Sequence, residues 1–189
     1  MIKDLVLNNR SYRRFLESEK IEYSVLRELV DLARLTPSSV NFQPLRFKLI
    51  CDPENNQKVF ETLSWAGLLK TWNGPEAGER PAAYIIILTE LSVASNMKID
   101  VGIAAQTVML GAAEKGLSGC MLGSIKRDLL AESLCIDTDK YSIDLVLALG
   151  KPNETVKIVD LPENGATAYF RDENGVHCVP KRSLDDIIL

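Results

Sequence analysis

The sequence DVGIAAQTVMLGAAEKGLSGCMLG, at positions 100–123, joins a helical pattern to a strand-like one, and the fold prediction starts from it. Asp100 is a good N-cap for a helix from Val101 to Lys115, because its carboxylate can accept from the first free backbone N–H groups. Residues 117–122 favour a strand. The helix is rich in small residues, so a second backbone or a flat ring could approach it closely. The alternative interpretation is an ordinary buried helix. The small residues are Gly102, Ala104, Ala105, Gly111, Ala112 and Ala113.

The segments on either side alternate between helix and strand without forming a regular βαβ series, which predicts the α+β class. Residues 67–81 hold three glycines and two prolines and are expected to be irregular. The predicted helices are 2–7, 24–35 with Ser24 as N-cap, 53 to about 63, 127–134 and a last short helix that ends at Leu189. The predicted strands are 46–51, 83–89, 143–149 and a hairpin over 169–179 whose turn is 172–175.

Length and charge exclude several classes of protein. The chain has 189 residues, with 22 lysines and arginines against 26 aspartates and glutamates, and a formal net charge of −4. This length predicts one domain, residues 1–189, with a core that needs neither disulfides nor metals. The acidic balance gives no chain-wide basic surface, so no nucleic-acid partner is expected.

The sequence also argues against membrane insertion and secretion. Its longest apolar runs, such as 84–88, are far shorter than the roughly 20 residues that span a bilayer. Residues 1–5 carry charges where a signal peptide needs an apolar run. The four cysteines and the single histidine lack the spacing of a zinc site or a disulfide framework. A cytoplasmic protein with reduced thiols and no metal site is therefore expected.

Several familiar catalytic and nucleotide-binding motifs are missing from the sequence. The glycine-rich stretch 116–123 follows a predicted helix and lacks G-x-G-x-x-G spacing, whereas a dinucleotide-binding turn precedes its helix. Neither a P-loop nor a G-x-S-x-G motif occurs. Cys120 and His177 could form a thiol–imidazole pair, but nothing in the sequence brings them together and cysteine is usually buried. We therefore interpret His177 as a hairpin residue.

Three polar segments together suit a ligand that has both a phosphate and a polar ring. RSYRRF at 10–15 combines three arginines with a serine, and such donors suit a phosphate. PSSVNFQP at 37–44 places short polar side chains between two prolines, and its amides can both donate and accept. Lys181 and Arg182 could complete an anion site. Each segment also has a plainer interpretation: a solvated basic patch, a helix-to-strand turn and a solubilising tail.

In chain order, these segments resemble the nitroreductase family of FMN-dependent oxidoreductases. RSYRRF is similar to the family's R-S-x-R-x-F motif, and PSSVNFQP to its P-S-x-x-N-x-Q-P motif, the most specific of the set. Residues 100–106 and 116–123 resemble the family's central helix and following strand, and ALGKP at 148–152 and KRSL at 181–184 complete the order. The resemblance spans nearly the whole chain. It implies a mostly antiparallel sheet flanked by helices, in an intertwined homodimer.

The resemblance also implies which residues bind FMN. Arg10 and Ser11 would contact the phosphate, Arg13 would contact the pyrimidine edge of the ring, and the 181–182 pair would close the phosphate site. The 37–41 segment would line the flavin from the other subunit, and residues 121–123 would run beside the ring near N5. Gly102, Ala104 and Ala105 could permit close packing in the dimer. The implied cofactor-binding residues are Arg10, Ser11, Arg13, Pro37, Ser38, Ser39, Asn41, Met121, Leu122, Gly123, Lys181 and Arg182.

The activity that the resemblance implies is a ping-pong reduction of a small-molecule acceptor. NADH or NADPH would give a hydride to flavin N5, and the reduced flavin would reduce a nitroaromatic, a quinone or a similar acceptor. Because the cofactor carries the redox chemistry, no side chain is assigned as a catalytic acid or base. Residues 65–81 are expected to cover the substrate site. Two alternatives stay open: a flavin-binding protein without reductase turnover, and a flavin enzyme of different chemistry, such as dehalogenation or flavin breakdown.

Overall fold

A four-stranded sheet forms the centre of the computed structural model, which describes residues 1–69 and 72–189. The strand order is β1-β2-β4-β3, and every pairing in this sheet is antiparallel. With helices on both faces, this architecture confirms the predicted α+β class with a mostly antiparallel sheet. The strands are β1 (Leu45–Ile50), β2 (Ala83–Glu90), β3 (Ser118–Leu122) and β4 (Tyr141–Gly150).

The helices divide between the two faces of the sheet. Helices α2 and α4 pack against one face, and α3 and α5 against the other. Successive side chains of a strand point to opposite faces, so Ile85 and Ile87 of β2 lie in the first core, and Tyr84 and Ile86 in the second. Residues 83–89 are therefore all buried, which explains their unbroken apolar run. The helices are α1 (Ile2–Asn8), α2 (Tyr23–Arg34), α3 (Pro53–Glu61), α4 (Lys98–Glu114) and α5 (Arg127–Leu134).

Two predicted helix caps are wrong. Helix α2 begins at Tyr23 with Glu22 in the N-cap position, so Ser24 lies in the first turn. Helix α4 begins at Lys98, and Asp100 lies inside its first turn with a buried side chain. A buried carboxylate must find donors, and those of Asp100 come from another segment of the chain, so a long-range contact overrides the local capping pattern.

The small residues of α4 mainly let the chain pack against itself. Ala104 and Ala105 are buried in the first core, so of the three residues predicted for dimer packing only Gly102 remains exposed. A Cβ on Gly111 would lie 2.6 Å from Cδ1 of Leu32, and glycine there lets α2 approach α4 closely. A Cβ on Gly102 would meet nothing within 4 Å.

A second sheet of three strands follows β4, in the order β5-β7-β6. The strands are β5 (Val156–Asp160), β6 (Phe170–Arg171) and β7 (His177–Lys181), and the antiparallel β6–β7 pair is the predicted hairpin. Its turn forms because the Asp172 carboxylate accepts from the backbone N–H groups of Asn174 and Val176. Strand β5, which pairs in parallel with β7, was not predicted.

The predicted last helix is wrong, because residues 185–187 form only a turn. The Ser183 hydroxyl accepts from the Asp186 backbone N–H, and the Asp186 carboxylate accepts from the Ser183 backbone N–H. This reciprocal pair closes a single turn, and so short a segment does not recover the cost of helix nucleation.

The predicted irregular segment contains neither helix nor strand in residues 67–69 and 72–81; Lys70 and Thr71 lie outside the described residues. Within the part of the chain that the structure describes, no helix combines the length and apolar character needed to cross a membrane.

Candidate functional site

Residues 9–17, here called the N-terminal strap, pass the outer edge of β3 at Ser11 and Tyr12. Ser11 forms a parallel bridge with Gly119, and the Tyr12 N–H donates to the Gly119 carbonyl at 2.9 Å. Phe15 is fully buried against Gly150, where a Cβ would lie 2.7 Å from the Phe15 ring. The aromatic residue of the R-S-x-R-x-F motif therefore fixes the strap, and the arginines before it lie at the sheet edge.

The carboxylate of Glu154 holds the strap from the side of the second sheet. Its Oε1 accepts from the backbone N–H groups of Arg13 and Arg14, and its Oε2 accepts from Nη2 of Arg171 at 2.7 Å. The Glu154 side chain is only 4% exposed. Because a buried charge without partners is strongly destabilising, these three donors fix the strap relative to the hairpin.

Arg13 lies at the centre of this arrangement and is 9% exposed. Its Nη1 lies 3.3 Å from the Ser11 carbonyl oxygen and 3.1 Å from Nε2 of His177. The guanidinium also stacks over the Tyr169 ring, with its carbon 4.8 Å from the ring centroid. Burial and the neighbouring Arg13 charge lower the pKa of His177 below its ordinary value, so the imidazole is held neutral.

A cleft of about 310 Å³ opens between the strap, β3 and β7. Nitrogen and hydroxyl donors dominate its polar lining, and no carboxylate is found among its described lining residues. Five of the predicted cofactor-binding residues meet here: Arg10, Ser11, Arg13, Met121 and Lys181. Four further polar residues line the cleft that are not among the predicted ligand-binding residues, namely Asn9, Gln106, Tyr169 and His177.

A signal for His177 was present in the sequence. His177, Val179 and Lys181 all line the cleft because alternate residues of β7 share one face. Because side chains two residues apart in a strand lie on the same face, the prediction of Lys181 as a binding residue also indicates Val179 and His177. Glu154, by contrast, belongs to no motif, and its role depends on contacts that only the folded chain shows.

The remaining predicted residues lie away from this cleft in the single chain. Leu122 is buried in the second core, so only its backbone is available to a ligand. Gly123 and Arg182 are exposed and do not line the cleft. Pro37 and Ser38 line a separate cavity of about 590 Å³, and Ser39 and Asn41 belong to the same loop.

The 37–44 loop has a strained backbone that Asp100 holds in place. Val40, Asn41 and Gln43 have φ values of 53°, 56° and 51°, and left-handed geometry is especially unfavourable for a β-branched residue. The Asp100 carboxylate accepts from the hydroxyl and backbone N–H of Ser39, at 2.7 and 3.1 Å, and from the Ser38 hydroxyl. Burial alone would raise the pKa of Asp100, but these hydrogen bonds outweigh it and lower the pKa.

The thiol–imidazole alternative gains no support from the geometry. Cys120 packs beside Leu122 in the second core, and burial raises the pKa of its thiol. His177 faces the cleft, where its Nε2 contacts Arg13. Among the described residues, no hydrogen bond joins Cys120 to His177.

Residues 65–69 and 72–81 pack beside the cleft rather than over it in the single chain. Trp72 lies between the guanidinium groups of Arg14 and Arg171, at 5.8 and 5.5 Å from its ring. The Leu68 N–H donates to the Tyr169 hydroxyl at 3.4 Å. None of these described residues lines the cleft, and the cover over the substrate site stays a prediction.

Fold and cleft together define an α+β protein with a donor-lined, cationic site at the edge of an antiparallel sheet. Residues 6–151 match the model of the Nitroreductase family, and the chain therefore belongs to that family.

Individual relatives agree with this assignment. A Bacillus subtilis (strain 168) protein named as an NAD(P)H nitroreductase, YdgI, is 25% identical over 181 residues, covering 78% of this chain and 87% of that protein. A nitroreductase from Exiguobacterium sibiricum, solved in complex with FMN, has a TM-score of 0.70 at 21% identity and covers 87% of this chain and 94% of its own. A Staphylococcus epidermidis structure named as an NAD(P)H:FMN oxidoreductase has a TM-score of 0.72 at 19% identity. The match covers 100% of this chain and 95% of that one. The two structural likenesses show that the fold is shared.

We expect Glu154→Gln to lower the free energy of unfolding by about 3 kcal/mol, because it leaves Arg171 without its buried partner. Urea denaturation followed by circular dichroism would measure this loss. Glu79→Gln is the matched control, since the Glu79 carboxylate pairs with Arg14 at a site that is 30% exposed, and it should cost less than about 1 kcal/mol. Equal losses in the two variants would contradict the role assigned to Glu154.

The free energy of unfolding should also depend on pH through His177, the single histidine of the chain. The unfolded chain binds a proton at His177 near pH 6.5, whereas the folded state binds it only at lower pH. The contribution of His177 should therefore lower stability as the pH decreases below about 6.5, and this contribution should level off once the folded pKa of His177 is passed. His177→Gln has no titrating side chain at this position. Urea titrations at several pH values at and below about 6.5 should therefore show that its free energy of unfolding lacks the pH dependence contributed by His177. Identical pH profiles in both proteins would show that His177 is not held neutral.

Proposed function

We propose that this chain is an FMN-dependent oxidoreductase that uses NADH or NADPH to reduce a nitroaromatic, a quinone or a similar small acceptor. The observation that carries the proposal is the convergence of Arg10, Ser11, Arg13 and Lys181 on one cleft. Membership of the nitroreductase family and the names of the relatives support the same activity.

The donors in the cleft fit FMN. Arg10 is oriented by a hydrogen bond from its Nη2 to the Val6 carbonyl at 2.8 Å, and its buried Nε has no partner among the described residues. Two further donors, Ser11 and Lys181, line the same cleft. Charge-assisted hydrogen bonds from such groups suit a phosphate, and Arg13 offers a further donor for a polar ring edge.

When bound, FMN would supply the redox chemistry between NAD(P)H and the acceptor, and the residues of the cleft would hold and orient it. Arg10 and Lys181 hold the phosphate by charge. Arg13 favours negative charge at the polar edge of the ring, because its guanidinium is fixed before the reaction and pays no reorganisation energy. Met121 contributes an apolar wall that limits access of water.

The other wall of the site is proposed to come from a second copy of the chain. The loop that carries the predicted flavin-lining residues at 37–41 lines a separate cavity in the single chain through Pro37 and Ser38, which supports a site completed across a subunit interface. The outer face of α4 also carries exposed or half-buried apolar residues, including Ile99 at 73% exposure and Ile103, around Gly102. Helix α1 contacts α4 and exposes Val6. A helix that is apolar on all sides is normally buried, which supports a homodimer through this surface.

The purified protein should be yellow, with about one non-covalent FMN per subunit, and NADH or NADPH should bleach it without oxygen and support reduction of menadione. Arg10→Ala should weaken FMN binding roughly tenfold or more, since it removes a hydrogen bond to a charged group. Fluorescence titration with riboflavin, which lacks the phosphate, is the matched control and should show little change. A colourless protein that does not bind added FMN would overturn the proposal.

Sedimentation velocity should give twice the 21.0 kDa chain mass for the wild-type protein. Gly102→Leu should shift the protein towards monomer and weaken FMN binding, because the new side chain would lie in the proposed interface. Within the single chain, a Cβ at this position meets nothing within 4 Å. Glu132→Leu adds the same side chain to an exposed position of α5 and should remain dimeric. An FMN-bound wild-type monomer would rule out the shared site.

A further inference from the structure

We infer that His177 is a positioning residue that holds the Arg13 guanidinium so that its free edge meets the polar edge of the flavin ring. The inference rests on the proposed function, since it assigns a partner to the arginine of that site. It also gives a use to a buried imidazole that the proposed mechanism leaves unassigned.

The hydrogen bond between the two side chains fixes their chemical roles. Arginine has only N–H donors, so Nε2 of His177, at 3.1 Å from Nη1 of Arg13, must be the acceptor. The imidazole proton is then on Nδ1. The same Nη1 also lies 3.3 Å from the Ser11 carbonyl oxygen, so both of its acceptors come from the chain itself.

The other terminal nitrogen of Arg13 remains available. Among the described residues Nη2 has no hydrogen-bond partner, and it is not one of the buried unpartnered atoms, whereas Nε is. Arg13 lines the cleft, and Nη2 is its one nitrogen that is neither hydrogen-bonded among the described residues nor buried without a partner, so we assign Nη2 to the ligand. Holding Nη1 in place therefore determines where Nη2 points.

Aromatic packing limits rotation of both groups. The Tyr169 ring lies 4.8 Å from the guanidinium carbon of Arg13 and 5.1 Å from the His177 ring centroid. His177 itself is 1% exposed. The Glu154 carboxylate fixes the backbone N–H of Arg13, so the arginine is held at both its backbone and its side chain.

The neutral state of His177 is necessary for this role, because an imidazolium would present a donor to a donor. The charged groups that face His177 are Arg13 of the strap, Glu154 before β5 and Arg171 of β6. Burial and the Arg13 charge lower the pKa of His177, and the opposing effect of Glu154 is smaller. The ring is therefore an acceptor at neutral pH.

Flavin titrations of two substitutions, followed by fluorescence quenching, test the inference. His177→Phe keeps a ring against Tyr169 but removes the acceptor, and it should weaken FMN and riboflavin by the same factor, about tenfold. His177→Gln provides a side-chain oxygen that can accept from Arg13 and should restore most of the affinity for both flavins. Arg10→Ala is the contrasting control, because its effect should be confined to FMN.

A double-mutant cycle shows whether His177 acts through Arg13. In an Arg13→Ala background, His177→Phe should cause no further loss of riboflavin affinity. A full tenfold loss in that background, or unchanged binding by the single His177→Phe variant, would overturn the inference while leaving the proposed function intact. A wild-type protein that binds neither flavin would overturn both.

The pH profile gives a second readout that does not require His177→Phe to fold. In the wild-type protein, acid should weaken riboflavin binding, because protonation of His177 removes the acceptor for Arg13. His177→Gln has no proton to gain, so its riboflavin affinity should stay constant over the same pH range. Parallel profiles for the two proteins would contradict the role of His177.

Discussion

The buried carboxylate of Glu154 is the contact on which the cleft depends, because it joins three separate segments of the chain. One oxygen fixes the backbone of the strap at Arg13 and Arg14, and the other fixes Arg171 of the hairpin. The strap carries Arg10 and Arg13. The hairpin segment carries Tyr169 before its first strand and Lys181 on its second strand. Without this carboxylate, Arg171 and the backbone N–H groups of Arg13 and Arg14 would lose their buried acceptor.

The central sheet provides a rigid base for this contact, and the strap that carries the arginines lies at the edge of that sheet. Strand β2 is covered on both faces, so the centre of the sheet is packed and closed. Strand β3 is at the edge, where unpaired backbone groups would otherwise be open to another chain. The strap occupies part of that edge through Ser11 and Tyr12, and the same pairing places its side chains at the cleft.

The 37–44 loop shows a comparable arrangement in a different part of the chain. Its left-handed residues cost free energy, and the buried Asp100 carboxylate holds them through Ser38 and Ser39. The two serines predicted to line the flavin, Ser38 and Ser39, thus have a structural role within one subunit. The loop and the cleft lie apart in a single chain, and the proposed homodimer would join them in one site.

The sequence by itself determined the features that local chemistry sets. The apolar run of β2, the bounds of α5, the Asp172 turn and the motifs of the strap and the loop were all visible in the sequence. The order of these motifs along the chain also indicated the family. Tertiary structure alone decided the partners of the charged groups. Arg13 meets His177 from 164 positions away, the strap meets Glu154 from 141, and Ser38 meets Asp100 from 62. Turn and helix patterns extend over only a few residues, whereas burial makes each isolated charge find a donor or acceptor wherever the folded chain brings one.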